Sequence, residues 1–262
     1  MRVQRKDETN RYLYEKLESL HPERRSSKEF ATGGLIRTFF LHSGKLNLEV
    51  ELDGKKEMNL IDGGQGFIIG PQIKKYTLSS DGDFFGVQTT SYIGNEKTII
   101  KIIDMGNEKL EVPLNKYEII TNPKRINKPW GHELWISWFR DYHVLKQIGM
   151  TAGNMSSLQL HRDKLETNYL VEGEADVIDG YPMDLSLGEE KMRESVRDVD
   201  WKNYTERKKS GMYWTSKPGI VHRVISKTDY IAYETSTPEL DDVIRLSDTS
   251  GRQSGRIISE HK

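Results

Sequence analysis

Two segments about sixty residues apart place polar side chains where a buried strand would carry apolar ones. They are SSLQLHRDKLETNYLVEG (156–173) and KPGIVHRV (217–224). Side chains alternate across a strand, so Gln159 and His161 point to one face and the leucines beside them to the other. Facing polar groups are costly to bury unless something binds them. Because the polar side chains are divided between the two segments, we expect the fold to bring these segments together.

The carboxylate of the set follows a predicted turn. Glu166 has the wrong parity for one unbroken strand with His161, and the polar run RDK (162–164) between them is typical of a turn. We therefore predict a hairpin whose returning strand ends at Gly173 and brings Glu166 opposite His161. The last member, His222, follows a Pro-Gly pair that ends a loop and starts a strand.

A lone Gln-x-His pair on a strand is more often exposed or satisfied within the core than bound to a metal. A metal site is favoured here because the carboxylate of Glu166 lies on the predicted returning strand and because a Gly-x-x-His pattern follows later in the sequence. Their nitrogen and oxygen donors suit one divalent ion, with zinc favoured and iron, manganese, cobalt or nickel as alternatives. The predicted ligands are Gln159, His161, Glu166 and His222.

Composition narrows the class of protein. The formal net charge of the 262 residues is −1, which gives no electrostatic reason to expect a nucleic-acid partner. The absence of cysteine excludes disulfides, thiolate metal sites and cysteine nucleophiles. No apolar signal core and no apolar run of transmembrane length occurs, so we expect a soluble, cytoplasmic protein without a membrane partner.

Short β-rich runs separated by glycines dominate the chain from Gly33 onward, as in a sandwich or barrel. A second β-rich set extends from about residue 142 to 234, after the connecting segment TNPKRINKPWGHE (121–133). Residues 7–20 instead predict a short amphipathic helix. Its apolar side is formed by Tyr12, Leu13, Leu17 and Leu20.

The two β-rich halves have similar patterns. GGQGFIIGPQIKKYTL (63–78) takes the place in the first half that SGMYWTSKPGIVHRVI (210–225) has in the second, with Lys74 or Lys75 near the position of the histidine. Because the first half has no ligand set, we interpret it as a degenerate barrel for packing or dimerisation, which is compatible with a homodimer. The predicted domains are a helical extension (1–32), a degenerate domain without metal (33–120) and a metal-binding domain (121–262).

Residues 184–209 are densely charged and separate the two ligand segments by more chain than a tight barrel needs. One interpretation is a solvated surface insertion. The other is a flap over the site, because long excursions beside a pocket often act as lids.

The second half resembles the cupin domain of the phosphomannose isomerase family, especially the one fused to GDP-mannose pyrophosphorylase in type II enzymes. The resemblance extends from Asn127 to Arg252 and implies an all-β bicupin, with two jelly-roll barrels and the short N-terminal helix. Its elements are, in order, KPWGHE (128–133), Lys146 and Ile148, Gly153, SLQ-x-H (157–161), Glu166, Pro218 to Arg223, and STPELDDVIRLSDTSGR (236–252).

This chain departs from the family pattern at several positions beside the predicted site, and we expect the degenerate first half to stand where the family has its nucleotidyltransferase domain. The family often has a second histidine, an arginine, a His-aromatic pair and a closing tyrosine. These positions are here Asp163, Lys164, Thr167 with Asn168, and Ser250. The Gln-x-His pair also resembles the zinc pair of type I isomerases.

The resemblance implies aldose–ketose isomerisation of a phosphorylated sugar. A metal polarises the sugar carbonyl, and a base moves the proton between carbons. Either Glu166 or a neutral Lys146 is the candidate base. Arg245 is the candidate for stabilising the developing negative charge.

A salt bridge is the alternative role for Arg245, with Asp241, Asp242 or Asp248 as its partner. Cationic side chains near the site are candidates for the sugar phosphate, since arginine binds phosphate by paired hydrogen bonds. The substrate-binding candidates are Lys146, Lys217, Arg223 and Arg245.

Two other function classes stay open. An Fe-dependent cupin oxygenase would use two histidines and one carboxylate as a facial triad. A sugar-binding or structural bicupin would perform no chemistry.

Overall fold

The computed structural model describes residues 1–19 and 26–261, and most of them lie in strands. By their internal contacts the residues form two compact units. The first contains Met1–Ile103, Leu110–Lys124 and Ile136–Leu145, and the second contains Asp104–Lys109, Arg125–Trp135 and Lys146–Lys262. Among the described residues, no helix has both the length and the apolar character needed to span a bilayer.

Two sheets that share one long strand form the first unit. The strands are β1 (Arg2–Glu8), β2 (Leu13–Glu18), β3 (Ser26–Ala31), β4 (Leu35–Leu52), β5 (Lys55–Asp62), β6 (Gly66–Ile69), β7 (Lys75–Ser80), β8 (Phe84–Tyr92), β9 (Ile99–Asp104), β10 (Lys109–Leu114) and β11 (Tyr117–Ile120). One sheet has the order β1-β2-β8-β4-β6-β11. The second half of β4 pairs instead with β5 and β7, and β3 pairs with β7. β9 and β10 form a separate ribbon.

The N-terminal segment is a pair of strands, so the predicted helix over 7–20 is wrong. β1 and β2 pair antiparallel, and β2 joins the sheet beside β8. The buried Tyr12 and Tyr14 have the two-residue period of a strand. The spacing of Tyr12, Leu13 and Leu17 also fits one side of a helix, and a short window cannot separate the two patterns. Leu20 lies outside the described residues.

The second unit is built on a six-stranded and a five-stranded sheet, in the orders β12-β13-β14-β21-β16-β19 and β18-β17-β20-β15-β22. Its elements are β12 (Lys124–Lys128), β13 (Gly131–Trp138), β14 (Val144–Met150), β15 (Leu158–Leu160), β16 (Glu166–Glu172), β17 (Glu174–Pro182), α1 (Glu189–Ser195), β18 (Thr205–Lys209), β19 (Tyr213–Ser216), β20 (Ile220–Ser226), β21 (Tyr230–Ser236) and β22 (Ile244–Ser247). Two 3-10 turns lie at Trp201–Tyr204 and Ile258–His261. The first three strands begin or end in residues of the first unit.

The charged segment 184–209 is largely exposed, as a solvated surface insertion would be, but it is anchored to the five-stranded sheet and supplies none of the side chains that line the cavity described below. Its helix α1 buries Met192 in an apolar cluster with Leu160, Val221 and Ile244 of the five-stranded sheet. Thr205–Lys209 forms β18 and pairs with β17. Charged side chains give the segment a polar average, while a few apolar ones anchor it to the face of the sheet that points away from the candidate ligands.

Each unit includes a short stretch of chain from the part of the sequence that otherwise forms the other unit, so no single boundary residue separates the two units. Asp104–Lys109 lies in the first half of the sequence and belongs to the second unit, whereas Ile136–Leu145 belongs to the first. The N-terminal strands are part of the first unit and form no separate helical extension.

Candidate metal centre

Three buried side chains of the second unit converge with the spacing of a metal site. One ligand atom from each of His161, Glu166 and His222 lies within 4.8 Å of the other two. His161 Nε2 is 3.4 Å from Glu166 Oε2, and His222 Nε2 is 3.5 Å from Glu166 Oε1. This is the one such group of three histidine or acidic side chains in residues 1–19 and 26–261. The structure therefore brings three of the four predicted ligands together.

Strand register places these side chains on one interior face. Gln159 of β15 lies directly opposite His222 of β20, so both point to the same side of the five-stranded sheet. His161 directly follows β15, and Glu166 begins β16 in the other sheet. The residues between them cross from one sheet to the other.

The predicted hairpin between His161 and Glu166 is therefore wrong, although the two side chains do meet. β15 pairs with β20 and β22, whereas β16 pairs with β19 and β21. A turn of this length serves equally to close a hairpin or to connect facing sheets. Side-chain parity cannot distinguish the two.

Hydrogen bonds fix both imidazoles with their Nε2 atoms toward the carboxylate. His161 Nδ1 donates to the Asp242 carbonyl, and His222 Nδ1 donates to the Ile220 carbonyl at 3.1 Å. Because a carbonyl can only accept, each Nδ1 carries a proton, and in the neutral ring the lone pair then lies on Nε2. His161 Nε2 is buried and has no hydrogen-bond partner in the structure. A bound metal ion would satisfy this atom.

The charge states also fit a metal. Burial would raise the pKa of Glu166, but the Lys164 ammonium and the two imidazoles outweigh burial and hold the pKa well below its ordinary value. Burial lowers the pKa of His222, although Glu166 opposes this effect. An ionised carboxylate and imidazoles that each offer a ring nitrogen form a donor set for a divalent metal. His161, Glu166 and His222 are therefore the residues that would hold it.

Gln159 lies beside this group, but its oxygen is already engaged. Ser157 Oγ donates to Gln159 Oε1 at 2.6 Å, while the amide nitrogen lies 3.4 Å from His222 Nε2. An amide nitrogen has no lone pair to offer a metal. A ligand role for Gln159 needs its oxygen turned toward the histidines, and it stays a prediction.

Asp242 supports the ligand turn through both its carbonyl and its carboxylate. The carboxylate accepts the backbone N–H groups of Arg162, Asp163 and Lys164 at 3.0, 2.7 and 3.1 Å, while the carbonyl holds His161. Burial would raise the pKa of Asp242, but these backbone donors outweigh it and lower the pKa. The sequence suggested Asp242 only as a partner for Arg245. Its contacts cross from the chain after β21 to a turn eighty residues earlier, which no local pattern reveals.

A cavity of about 950 Å³, part of it open to solvent, extends from the three ligands. Cationic side chains outnumber acidic ones along its walls. They are Lys128, Lys146, Lys164, Arg245, Arg252 and Arg256, against Glu133, Glu166, Glu234 and Asp241. A divalent metal would make the cavity more positive, which favours an anionic ligand.

Buried charges of alternating sign line one wall. Lys164 Nζ is 2.5 Å from Glu166 Oε2 and 2.9 Å from Glu234 Oε1. Lys146 Nζ follows at 3.7 Å from Glu234 Oε1 and 3.6 Å from Glu133 Oε2. Burial would raise the pKa of Glu133, but Lys128 and Lys146 outweigh it and lower the pKa to about 2. Of these residues, sequence reasoning identified Lys146 and Glu166 as functional.

Two of the predicted substrate residues, Lys146 and Arg245, line the cavity. Lys146 Nζ lies 4.9 Å from the ring centre of Trp135. Arg245 lies directly opposite Gln159, on the interior face that also carries His222.

The alternative salt bridge of Arg245 is not formed. Its Nη1 donates to the carbonyls of Gln253 and Gly255. The three candidate partners are engaged elsewhere: Asp241 with Lys109, Asp248 with Arg252, and Asp242 with the ligand turn.

The other two predicted substrate residues lie outside the cavity. Arg223 is next to His222 on β20, so its side chain points to the opposite face, where it donates to the Ser247 carbonyl at 3.0 Å. Lys217 is exposed in the loop before β20. The closeness of a positive residue to a metal ligand in the sequence does not show to which face of the sheet its side chain points.

Sequence reasoning missed much of the cavity wall. Glu133 and Trp135 come from β13, while Arg252, Arg256 and His261 come from the C-terminal segment. KPWGHE was noted as a motif without a role, and Glu133 is its last residue. Arg252 ends the closing Gly-Arg element of the resemblance, whereas Arg256 and His261 come after it with no spacing that indicates a site.

No protein-family model matches the chain, and no curated protein matches it in sequence. Solved structures match it in fold. Oxalate decarboxylase from Lactobacillus farciminis, in a formate complex, matches at a TM-score of 0.59 and 11% identity, over 91% of this chain and 80% of that one. Streptomyces albus HEPD, with 2-hydroxyethylphosphonate and Fe(II) bound, gives 0.62 and 10%, over 90% and 70%.

Vicilin from Corylus avellana (hazelnut) matches at a TM-score of 0.54 and 11% identity, over 87% of this chain and 75% of that one. Identities this low show the fold alone. The chain has an all-β bicupin fold, as the resemblance implied.

Proposed function

We propose that this chain is a metal-dependent enzyme and, more narrowly, a sugar-phosphate isomerase of the mannose-6-phosphate isomerase kind, acting in carbohydrate or surface-polysaccharide metabolism. The observation that carries the proposal is the meeting, in one cavity, of two histidines and a glutamate with an excess of cationic side chains. The family resemblance of residues 127–252 supports the narrower statement. A cytoplasmic location and a homodimer stay predictions.

The metal, when bound, supplies a Lewis acid for the sugar carbonyl. Both carboxylate oxygens of Glu166 face imidazole nitrogens, and one also accepts from Lys164. Glu166 is thus placed to hold the metal rather than to move a proton. Lys146 faces the cavity with no hydrogen-bond acceptor closer than 3.6 Å, so we favour it as the group that moves the proton between C2 and C1.

A metal analysis followed by an isomerase assay tests the proposal. Purified chain loaded separately with zinc, manganese, cobalt, nickel or iron(II) is assayed with mannose 6-phosphate and then with other hexose and pentose phosphates. We expect turnover that a chelator abolishes and that the metal restores. Lys146→Met should lower kcat by about 10²–10⁴-fold, the range for a general acid–base group, with metal content unchanged.

The matched control is Arg223→Gln, which removes a positive charge on the other side of the same sheet. It should leave kcat and metal content near those of the wild type. Full metal occupancy without isomerisation of any sugar phosphate would contradict the isomerase proposal.

One observation favours a second candidate, an Fe(II)-dependent oxygenase. Two histidines and one carboxylate are the facial triad of non-haem iron oxygenases, and Gln159 is not turned to act as a fourth ligand. HEPD, whose structure holds Fe(II), has the same fold. Oxygen consumption by the iron(II)-loaded chain with an anionic organic substrate would identify this class. Saturable sugar-phosphate binding without either reaction would instead indicate a non-catalytic bicupin.

A further inference from the structure

Strand β5 of the first unit is the edge of its sheet and carries exposed apolar side chains. In the described part of the chain β5 pairs with β4 alone, so one side of its backbone has no partner strand. Met58 and Leu60 lie two residues apart on β5 and are 59% and 56% exposed. An exposed edge strand of eight residues with an apolar centre is a template for pairing with another strand.

The rest of that face of the sheet is mainly polar, which sets Met58 and Leu60 apart. The register of β3, β7, β4 and β5 gives the side chains that share the face. They are Lys45, Asn47, Glu49 and Glu51 of β4, Lys75, Thr77 and Ser79 of β7, and Ser27 and Glu29 of β3. The opposite face packs into the core through Leu46, Leu48, Val50 and Ile61. The exposed apolar pair therefore lies at the rim of a polar face.

Charged side chains flank the apolar pair on the same face of β5. Lys56 lies before the pair and Asp62 after it, each at the two-residue spacing of a strand. Lys56 Nζ is 2.9 Å from Glu49 Oε1, and Lys45 Nζ is 3.2 Å from Asp62 Oδ1. Along β5 this face thus has the order positive, apolar, apolar, negative.

This order is complementary to its own reverse. Residues directly opposite each other in an antiparallel pair share a face, so two copies of β5 related by a two-fold axis can pair with Asn59 on the axis. Met58 then faces Leu60 of the partner subunit, and Lys56 faces Asp62 of the partner subunit. An axis through Met58 or through Leu60 would instead place a charged side chain opposite an apolar one. The register centred on Asn59 is the one that matches both kinds of side chain.

We propose that two copies of this chain associate through antiparallel β5 strands, with Asn59 on the two-fold axis. The apolar pairs of the two copies meet at the centre. On each flank the charges alternate from Lys45 through Asp62 to Lys56 of the partner subunit and Glu49 of the partner subunit. An interface centred on one strand pair lies at or below the roughly 1,200 Å² of a stable complex, so the dimer should be reversible. This proposal does not depend on the metal or on the proposed function.

Sedimentation velocity of the full chain over a series of concentrations tests the association. Wild type should show a monomer–dimer equilibrium. Leu60→Lys should weaken it by at least about 10-fold, because a lysine at the centre of an edge strand opposes pairing. Leu110→Lys is the matched control, since Leu110 is 52% exposed on β10, and it should change the dimer Kd by less than about twofold. Leu60 is exposed in the single chain, so the monomer should keep its free energy of unfolding.

Reversing the flanking charges tests the register. Lys56→Asp places two acidic side chains opposite each other, Asp62→Lys places two lysines opposite each other, and each variant alone should dimerise about 10-fold more weakly. An equal mixture of the two variants restores both opposite-charge pairs and should form a heterodimer with nearly the wild-type Kd. Recovery in the mixture also shows that both variants are folded.

A single introduced cysteine locates the axis, because the natural chain has none. In Asn59→Cys the two cysteines are directly opposite, with Cα atoms about 5 Å apart, which suits a disulfide. In Lys55→Cys they are eight residues apart along the strands, or about 27 Å, which is too far. Mild oxidation should therefore link Asn59→Cys into a covalent dimer and leave Lys55→Cys mostly monomeric on a non-reducing gel.

A chain that stays monomeric at every concentration would overturn the proposal. A dimer in which Asn59→Cys is linked no better than Lys55→Cys, or a mixture of the charge variants that fails to recover dimerisation, would show that the copies meet at another surface or in another register, and the proposal would equally fail.

Discussion

The two units are both built on facing sheets, and they differ in what fills the space between the sheets. In the first unit aromatic and aliphatic side chains fill it. Phe39 stacks on Phe67 with ring centres 5.0 Å apart, and Tyr76 meets Phe67 edge-on at 5.7 Å. In the second unit an apolar cluster around Leu170 and Trp214 adjoins a cavity lined with charged groups.

The same architecture is thus stabilised in two different ways within one chain. The apolar interior of the first unit needs no ligand, because burial itself supplies the favourable free energy. The second unit holds ionised groups in pairs, and such buried pairs contribute little net stability. We therefore expect the stability of the second unit, and not that of the first, to depend on a bound metal.

The largest expected difference concerns pH and originates in the first unit. His143 is fully buried between the hydroxyl groups of Thr38 at 3.0 Å and Ser91 at 2.9 Å, and burial lowers its pKa to about 3. The neutral ring contributes stability above the unfolded pKa of about 6.5, and that stability is lost as the pH falls toward 3. The loss is on the order of 4 kcal/mol at the acid end.

Glu133 of the second unit responds to acid in the same direction but at lower pH. Its pKa of about 2 in the fold lies below the unfolded value, so its contribution is present above about pH 4.5 and is lost as the pH falls toward 2. Hydrogen exchange at several pH values, corrected for intrinsic rates, should show the strands around His143 losing protection as the pH falls below about 6.5. His143→Gln should remove that loss. Protection of these strands that does not change with pH would contradict the role of His143.

The next largest effect is expected from shortening a side chain in the apolar interior of the first unit. Phe39→Ala removes a fully buried ring and should lower the free energy of unfolding of the first unit by about 3–5 kcal/mol in urea denaturation. The matched control is Leu60→Ala, since Leu60 is 56% exposed on β5 and should change stability by less than about 0.5 kcal/mol. Equal effects of the two substitutions would show that the interior is not the source of stability.

Metal removal should act on the second unit. At a free metal concentration about a hundred times Kd, binding adds about 2.7 kcal/mol to the stability of the form that binds it. A chelator should therefore accelerate hydrogen exchange in β15, β16 and β20 and leave β4 and β8 unchanged. Equal acceleration in both sets would contradict a site confined to the second unit.

Asp242 should give the smallest effect of the series. Asp242→Ala removes the acceptor of three N–H groups in the ligand turn and keeps every metal ligand. Supporting contacts of this kind typically change metal affinity by about 10–100-fold. Asp229→Ala is the control, because that carboxylate caps the backbone N–H of Ala152 in a distant turn. Competition with a chromogenic chelator measures both affinities, and equal Kd values would remove Asp242 from the site.

Sequence was a good guide wherever the information was local or repeated. Glycine-separated β-rich runs predicted the all-β class, and Gly173 does end β16, with a positive φ of 89° that favours glycine. Strand alternation predicted that Gln159 and His161 point to the same side, and both line the cavity. The convergence of His161, Glu166 and His222 needed the motif order as well, because no spacing rule alone unites segments sixty residues apart.

The failures share one physical cause, which is that tertiary partners decide between locally equivalent patterns. The segment over Tyr12 and Leu17 suits a helix or an added strand, and the free edge of a sheet selects the strand. The turn after His161 suits a hairpin or a crossing between sheets. Arg256 and Asp242 owe their positions to contacts with distant parts of the chain. A sequence pattern does not show such contacts.

Anomalous diffraction from crystals of the metal-loaded chain, recorded at the absorption edge of the bound ion, locates the metal. We expect one strong peak per chain, within bonding distance of His161 Nε2, His222 Nε2 and a Glu166 carboxylate oxygen. A crystal with full metal content whose peak lies away from these three side chains, or within the first unit, would show that they do not form the metal centre.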